Sequence, residues 1–292
     1  NLKKDLALIY SEVPAAASGM FTKNKVKGAP ISISKDHLSN KKAQAIIVNS
    51  GNANTCNGTD GLNKAKKMTC LQAKELNLKA DDILVASTGV IGVPLNIDAI
   101  KSGIPLLTQK LSKEGHDDAS SAIMTTDTVK KELALEFTIG DKVVTIGAMA
   151  KGSGMIEPNM GTMLSFITTD IAITPELLDE ALKSCVKVTY NRVSVDGDTS
   201  TNDSVFILAN GLAENNLISE KNEDYETFLK ALTDLNTIMA RNIAKDGEGA
   251  TKLLTCTVSH ACSVQDAKTV AKSVITSSLF KAAMFGKDAN WG

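Results

Sequence analysis

Residues Lys151–Asp170 read KGSGMIEPNMGTMLSFITTD. The first part is a nearly uncharged loop with glycine at 152, 154 and 161, and Pro158 between them. From Leu164 the stretch turns into a strand of Leu, Phe, Ile and β-branched Thr, residue types that suit a pleated, buried surface. Two readings fit. One is a glycine-rich turn feeding a buried strand. The other is a bond the chain cuts for itself, between Gly161 and Thr162. A threonine hydroxyl is a poor nucleophile until a base takes its proton, and the residue's own α-amine, with a free pKa near ~8, is one such base. An internal threonine gains that amine only when the bond before it breaks. Gly161 has no Cβ to hinder attack on its carbonyl and tolerates unusual dihedrals. Thr162 Oγ would attack that carbonyl, move the acyl group from nitrogen to oxygen, and leave an ester for water to open. These two residues alone leave both readings standing.

Working outward, strand and helix patterns interleave. DLALIY from Asp5 and AQAIIVNS (43–50) read as strands, and GNANTCNGTDG (51–61) as a loop rich in residues that accept positive φ. A helix is predicted over 62–76. Residues 82–92, DILVASTGVIG, read as a buried strand entering a glycine turn, and 132–152 as a hairpin turning at Gly140-Asp141. Beyond the strand at 164–173, Thr174 and Pro175 mark a helix start. Leu178, Ala181, Leu182, Cys185 and Val186 then share one helical face. A strand at 204–210 and a helix over 224–249 follow, the latter with Phe228, Leu232, Leu235, Met239 and Ile243 near helical spacing. The pattern predicts a last strand at 251–261 and a last helix at 263–286. Such interleaving places the chain in the α/β or mixed α+β class.

Composition narrows the function. The 292 residues suit one large domain or two ordinary ones, and 43% hydrophobic residues supply a packed core. With 32 basic against 33 acidic residues the net charge is -1, and no basic stripe or set of stacking aromatics suggests nucleic acid. No apolar run approaches the ~20 residues that span a bilayer. The N-terminus is a weak match to a signal peptide, and both ends read as those of a fragment. Five cysteines without a C-x-x-C pair read as buried thiols in a reduced cytoplasm. Three scattered histidines give no ligand spacing, so no metal site is expected. VDGDTSTND (195–203) brings Asp196, Asp198 and Asp203 together without the EF-hand pattern; it reads as structure near a site. Neither G-x-G-x-x-G, a P-loop, nor a G-x-S-x-G elbow occurs.

The segments taken together resolve the opening question. KGSGMIEPNMGTML, DLALIYSEVPAAASGMFTKNKVKGAP, VNSGNANTCNGTDG, VASTGVIG, IMTTDT, VDGDTSTND, DGEGATK and FGKDANWG resemble, in order, the ornithine acetyltransferase (glutamate N-acetyltransferase) family of arginine biosynthesis. The resemblance covers nearly the whole chain. It implies a self-processing N-terminal-nucleophile enzyme with β-sheets packed against helices. It further implies a cut that yields residues 1–161 and 162–292 as α and β chains, which stay associated in a larger assembly. Thr162 would then carry an acetyl group from N-acetylornithine to glutamate by a ping-pong reaction. By the same resemblance Thr88 and Gly89 form the oxyanion hole, and Thr125, Lys151, Thr162 and Glu248 contact substrate. No cofactor or metal is implied, acetyl-CoA is left open as a second donor substrate, and the location is cytoplasmic. Gly161 stands where alanine is common in the family, and the family chain continues beyond DANWG with further substrate contacts. A related self-processing aminopeptidase or amidase is the alternative; a binding protein whose Gly161–Thr162 bond never breaks is a third reading.

Overall fold

The computed structural model describes residues 4–157 and 163–289. Seven strands form one sheet: β1 (Leu6–Phe21), β2 (Lys42–Asn49), β3 (Ile83–Ser87), β4 (Lys131–Ile139), β5 (Lys142–Lys151), β6 (Leu164–Thr169) and β7 (Ser204–Ala209), in the order β3-β2-β1-β7-β6-β5-β4. The β2–β3 and β6–β7 pairs are parallel; the others are antiparallel. β2, β3 and β7 are buried along nearly their whole length. That is why AQAIIVN and SVFILA read as continuous apolar runs, whereas one-sided β4 alternates. The β4–β5 hairpin turns at Gly140-Asp141 as expected, with Gly140 at φ +59 and Ile139 paired with Lys142.

The sheet folds back on itself at β1. Tyr10 pairs with Ala45 but Ala15 pairs with Ala43, so β1 carries extra residues across a bulge, and a bulge bends its strand. β3 and β7 stand three places apart in the sheet, roughly 14 Å if it were flat. Yet Asn202, just before β7, donates from Nδ2 to the Ser87 carbonyl at the end of β3 at 2.9 Å. The two arms therefore face each other. Ile46, Val48 and Leu84 of one arm and Leu164, Phe166, Phe206 and Leu208 of the other build the core between them.

Helices cover both outer faces. α5 (Pro175–Val188) and α6 (Glu223–Lys245) pack on the β4–β7 arm through Leu178, Leu182, Cys185, Phe228, Leu232, Leu235, Met239 and Ile243. On the other arm lie α1 (Ala29–His37), α2 (Gly58–Leu76) and α3 (Ile97–Gln109), of which α2 and α3 bring Met68, Ala73, Ile100 and Ile104 to the core. Each fully buried Leu, Ile or Phe in such faces contributes roughly 1.5–3 kcal/mol. The short α4 (His116–Ala122) adds Ala119 and Ala122 to the core between the arms. No helix among the described residues is long and apolar enough to cross a membrane.

Several sequence expectations need correction. Residues 251–261 form no strand: they lie beside neither edge of the sheet, and an alternating pattern without a partner edge makes no ladder. The single helix at 263–286 is two, α7 (Val264–Ile275) and α8 (Ser278–Gly286), because Ser277 leaves helical geometry and caps the Phe280 N–H. The helix expected to reach 249 stops at Lys245, before Gly247 and Gly249. The loop expected through 61 ends at Asn57, where α2 begins a turn early. Thr174 holds the N-cap position of α5 without a side-chain cap bond; Pro175 does hold the first turn. Of the cysteines, Cys185 is buried, Cys256 half-buried, and Cys56, Cys70 and Cys262 are exposed; all are free thiols.

Candidate active site

The site grows from strand ends at the open edge of the folded sheet. β3 ends at Ser87, whose Oγ donates to Asn49 Oδ1 at 2.5 Å. Thr88 follows, 4% exposed, its N–H donating to the Asn49 carbonyl at 3.0 Å. Gly89 sits at φ +129, against the backbone of the 51–53 loop. A Cβ there would lie 2.2 Å from the Gly51 carbonyl carbon and 2.4 Å from Asn52 N, so only glycine fits. Val90 N–H to Gly51 O at 3.2 Å and Ala53 N–H to Val90 O at 2.9 Å stitch the turn down. Thr88 and Gly89 thus occupy a rigid strand-end turn.

The other arm contributes Lys151, the last residue of β5, and the turn after it. Lys151 is 2% exposed, not solvated as a lysine beside a glycine turn ordinarily is. Gly152 N–H donates to Asp127 Oδ1 at 2.7 Å, and Thr125 N–H donates to Asp127 Oδ2 at 3.1 Å. The Ser153 and Thr126 hydroxyls meet at 2.6 Å. Glu248 N–H donates to Ser153 O at 2.7 Å, and its carboxylate lies over Gly154, where a Cβ would come 2.3 Å from Oε2. The Lys151–Gly154 turn therefore gathers half-buried Thr125, Lys151 and exposed Glu248, three residues far apart in sequence.

Beneath this turn lies a buried ion cluster that sequence reading missed. Lys131 Nζ donates to Asp127 Oδ1 at 2.7 Å and to Asp246 Oδ2 at 2.6 Å, with Lys131 and Asp127 side chains fully excluded from water. Asp246 also accepts from the Thr128 N–H and hydroxyl. Burial alone would raise the Asp127 carboxyl; the Lys151 charge, the Lys131 bond and the Gly152 N–H outweigh it and hold the carboxyl below its ordinary value. Asp246 is held down against its burial in the same way, by Lys131 and Thr128. One signal was available: Lys131 falls in phase with Leu133, Leu135, Phe137 and Ile139, the inward-facing side of β4.

Asn202 and Asp203 join the two arms. Asn202 Nδ2 donates to Ala53 O at 2.6 Å and to Ser87 O, and its Oδ1 accepts from Thr55 and Thr201 hydroxyls at 2.5 and 2.7 Å. Asp203 Oδ1 accepts from the Met163 N–H at 3.0 Å. One dipeptide thus holds the carbonyl before Thr88 and the N–H that follows residue 162. Gly161 and Thr162 themselves lie outside the described residues. A separate cavity of about 930 Å³ opens between α6, α7, α8 and the 250–258 segment, lined in part by Arg192, Arg241, Leu253 and Phe285. Among the sequence-predicted residues it borders Glu248, while Thr88, Gly89, Thr125 and Lys151 do not line it.

The fold and these strand-end turns define a mixed α/β protein, helices outside and a folded sheet within, with its polar constellation at the open end of the sheet. The chain belongs to the ArgJ family, whose model matches residues 1–292. It is 56% identical over 292 residues to arginine biosynthesis bifunctional protein ArgJ 1 of Clostridium acetobutylicum, covering 100% of this chain and 72% of that one. To the arginine biosynthesis bifunctional protein ArgJ of Caldanaerobacter subterraneus subsp. tengcongensis it is 51% identical, covering 99% of this chain and 72% of that one. The crystal structure of arginine biosynthesis bifunctional protein ArgJ from Bacillus halodurans superposes with a TM-score of 0.51 at 40% identity, over 56% of this chain and 84% of that one.

Proposed function

We propose that this ArgJ-family enzyme of arginine biosynthesis cuts its own Gly161–Thr162 bond and then moves an acetyl group from N-acetylornithine to glutamate on Thr162. The observation that carries the reading is the convergence on Met163. The Thr88-Gly89 turn is tied through Asn202-Asp203 to the residue after Thr162. Lys151 is register-paired with Leu164, two positions beyond Thr162. Thr162 Oγ attacks the acetyl carbonyl while the Thr162 amine takes its proton. Thr88 Oγ1 and the Gly89 N–H supply donors for the oxyanion, on a turn too constrained to reorganise. Lys151 and Thr125 receive the polar groups of the substrate, and the Glu248 carboxylate meets a cationic amine. Ornithine leaves, glutamate enters, and its amine takes the acetyl group. One amide replaces another, so no energy source is required. Acetyl-CoA is left open as a second donor substrate.

The sheet order supports lasting association of residues 1–161 and 162–292 after a cut. β7 and β6, from the second piece, lie between β1 and β5 of the first, hydrogen-bonded on both sides. The test is intact mass under denaturing conditions for the wild type and Thr162→Ala. Two pieces that part between Gly161 and Thr162 in the wild type, and one piece in the variant, are expected. An uncut wild type returns Thr162 to an ordinary residue before a strand. In the cleaved enzyme, acetyl appearing on glutamate rather than in water separates transfer from the amidase alternative.

A further inference from the structure

The cavity of about 930 Å³ between α6, α7, α8 and the 250–258 segment meets the site described above only at Glu248. Two of its walls are helix faces. Ala240, Arg241 and Ala244 line it from α6, and Ala267, Lys268 and Ala271 from α7, in each case at the three- and four-residue spacing of one face. Alanine at four of these positions leaves the space between the helices open; longer apolar side chains there would fill it.

The charge around this space is one-sided. Six basic side chains line the cavity against a single acidic one, Glu248, in a chain whose 32 basic and 33 acidic residues balance overall. Two of the six are committed elsewhere: Lys272 pairs with Glu157 at 2.6 Å, and Lys281 Nζ donates to Val195 O at 2.7 Å. Lys252 reaches the Phe285 carbonyl at 3.4 Å. Arg192, Arg241 and Lys268 enter no ion pair among the described residues. They come from three elements, the turn after α5, α6 and α7. A cleft lined by one sign of charge focuses the field and gathers counter-ions. Half-buried Val193, Leu253 and Ile275 add apolar wall beside the charges. The volume lies in the upper part of the roughly 300–1,000 Å³ that small-molecule sites occupy.

We propose that this cavity binds a phosphorylated ligand of nucleotide size, its phosphates on Arg192, Arg241 and Lys268 and its apolar body against Val193, Leu253 and Ile275. A guanidinium fork takes two phosphate oxygens at once. One carboxylate satisfies one such fork, whereas a diphosphate presents enough oxygens and charge for cations from three elements. The proposal is independent of the chemistry at Thr162.

The test is isothermal titration calorimetry of the full chain with ADP, pyrophosphate and adenosine. ADP should bind saturably at one site, pyrophosphate more weakly, and adenosine not detectably. The double variant Arg192→Gln/Arg241→Gln should weaken ADP at least ~10-fold, the scale of one lost charge-assisted hydrogen bond. Both arginines are exposed, so far-UV circular dichroism and Tm should be retained. Lys66→Gln/Lys67→Gln removes the same charge from the exposed face of α2, away from the cavity, and should leave ADP binding unchanged. ADP that fails to saturate the chain by ~1 mM, or that binds the arginine variant as tightly as the wild type, overturns the proposal. A cavity filled by protein rather than by ligand would give the first of these results. Equal weakening by the α2 variant also overturns it, because binding then follows net charge alone. Pyrophosphate or adenosine as tight as ADP refutes it as well, the first leaving the apolar wall idle and the second the cations. Should the arginine variant fail to fold, Ala271→Phe, which fills the space from α7, decides: undiminished ADP binding refutes the assignment.

Discussion

Replacing Lys131 by methionine tests whether the ion cluster under the Lys151–Gly154 turn organises the site. Methionine fills nearly the same volume and removes the charge. Asp127 and Asp246 then face each other across a water-free gap, with side chains 0% and 6% exposed. Removing one partner of a buried ion pair costs about 3–5 kcal/mol, because the remaining charge is left uncompensated. Two carboxylates lose Lys131, but Asp127 keeps the Lys151 charge and two N–H donors, which places Lys131→Met in the middle of that range, near ~4 kcal/mol, a large share of the ~5–15 kcal/mol that holds a domain together. The measurement is urea unfolding at pH 7 in the Thr162→Ala background, which on the proposed self-cleavage keeps the chain in one piece. The sign of the pH dependence follows from the depressed pKa values of both carboxylates in the parent protein. Their contribution is present above the unfolded pKa and is lost as pH falls through the folded one. In Lys131→Met, Asp246 loses the cation that most depressed it, while Asp127 keeps only the Lys151 charge and the Gly152 and Thr125 N–H groups, so protonation relieves the variant first. The gap between variant and parent should shrink toward pH 4. A deficit below ~1 kcal/mol at pH 7, or one that does not shrink in acid, would show that the cluster holds nothing.

Three further outcomes are expected. Gly89→Ala should cost at least ~100-fold in kcat, the scale of losing an oxyanion donor, because its Cβ would meet backbone at 2.2 Å; steady-state kinetics with unchanged turnover would dissociate this turn from the oxyanion. Glu248→Gln should raise KM for N-acetylornithine by roughly 10-fold or more, the scale of a charge-assisted hydrogen bond, with little loss of stability, since the residue is exposed. With a thiol reagent at pH 8, Cys56, Cys70 and Cys262 should react in the native protein while Cys185 stays protected, its thiol pushed up to about 11 by burial; rapid labelling of Cys185 would contradict the packing of α5 on α6.

Local chemistry determined much of this protein. Leu178, Ala181, Leu182, Cys185 and Val186 lie buried on α5 because 3.6-residue spacing forces them to one face. Gly140-Asp141 turns the hairpin because few residues accept its geometry. The resemblance carried by KGSGMIEPNMGTML and STG led to the family the whole chain matches. Elsewhere the deciding partners are distant. α3 contains Gly103 and Pro105, both poor helix formers, and stands because Ile100 and Ile104 bury against α2 and the sheet. Residues 251–261 alternate like a strand and make none, since a ladder needs a neighbouring edge that the pattern cannot specify. A bulge in β1 folds the sheet so that Asn202 reaches Ser87, and nothing in Asn202's own neighbourhood foretells that contact. Lys131, Asp127 and Asp246 look like solvated surface charges one at a time; only the packed arms, by excluding water and bringing the three within hydrogen-bond reach, make them a cluster. Spacing along the chain determined which faces are apolar and which bonds are chemically special. The folding of one sheet decided which polar groups meet, because those meetings depend on contacts across more than a hundred residues.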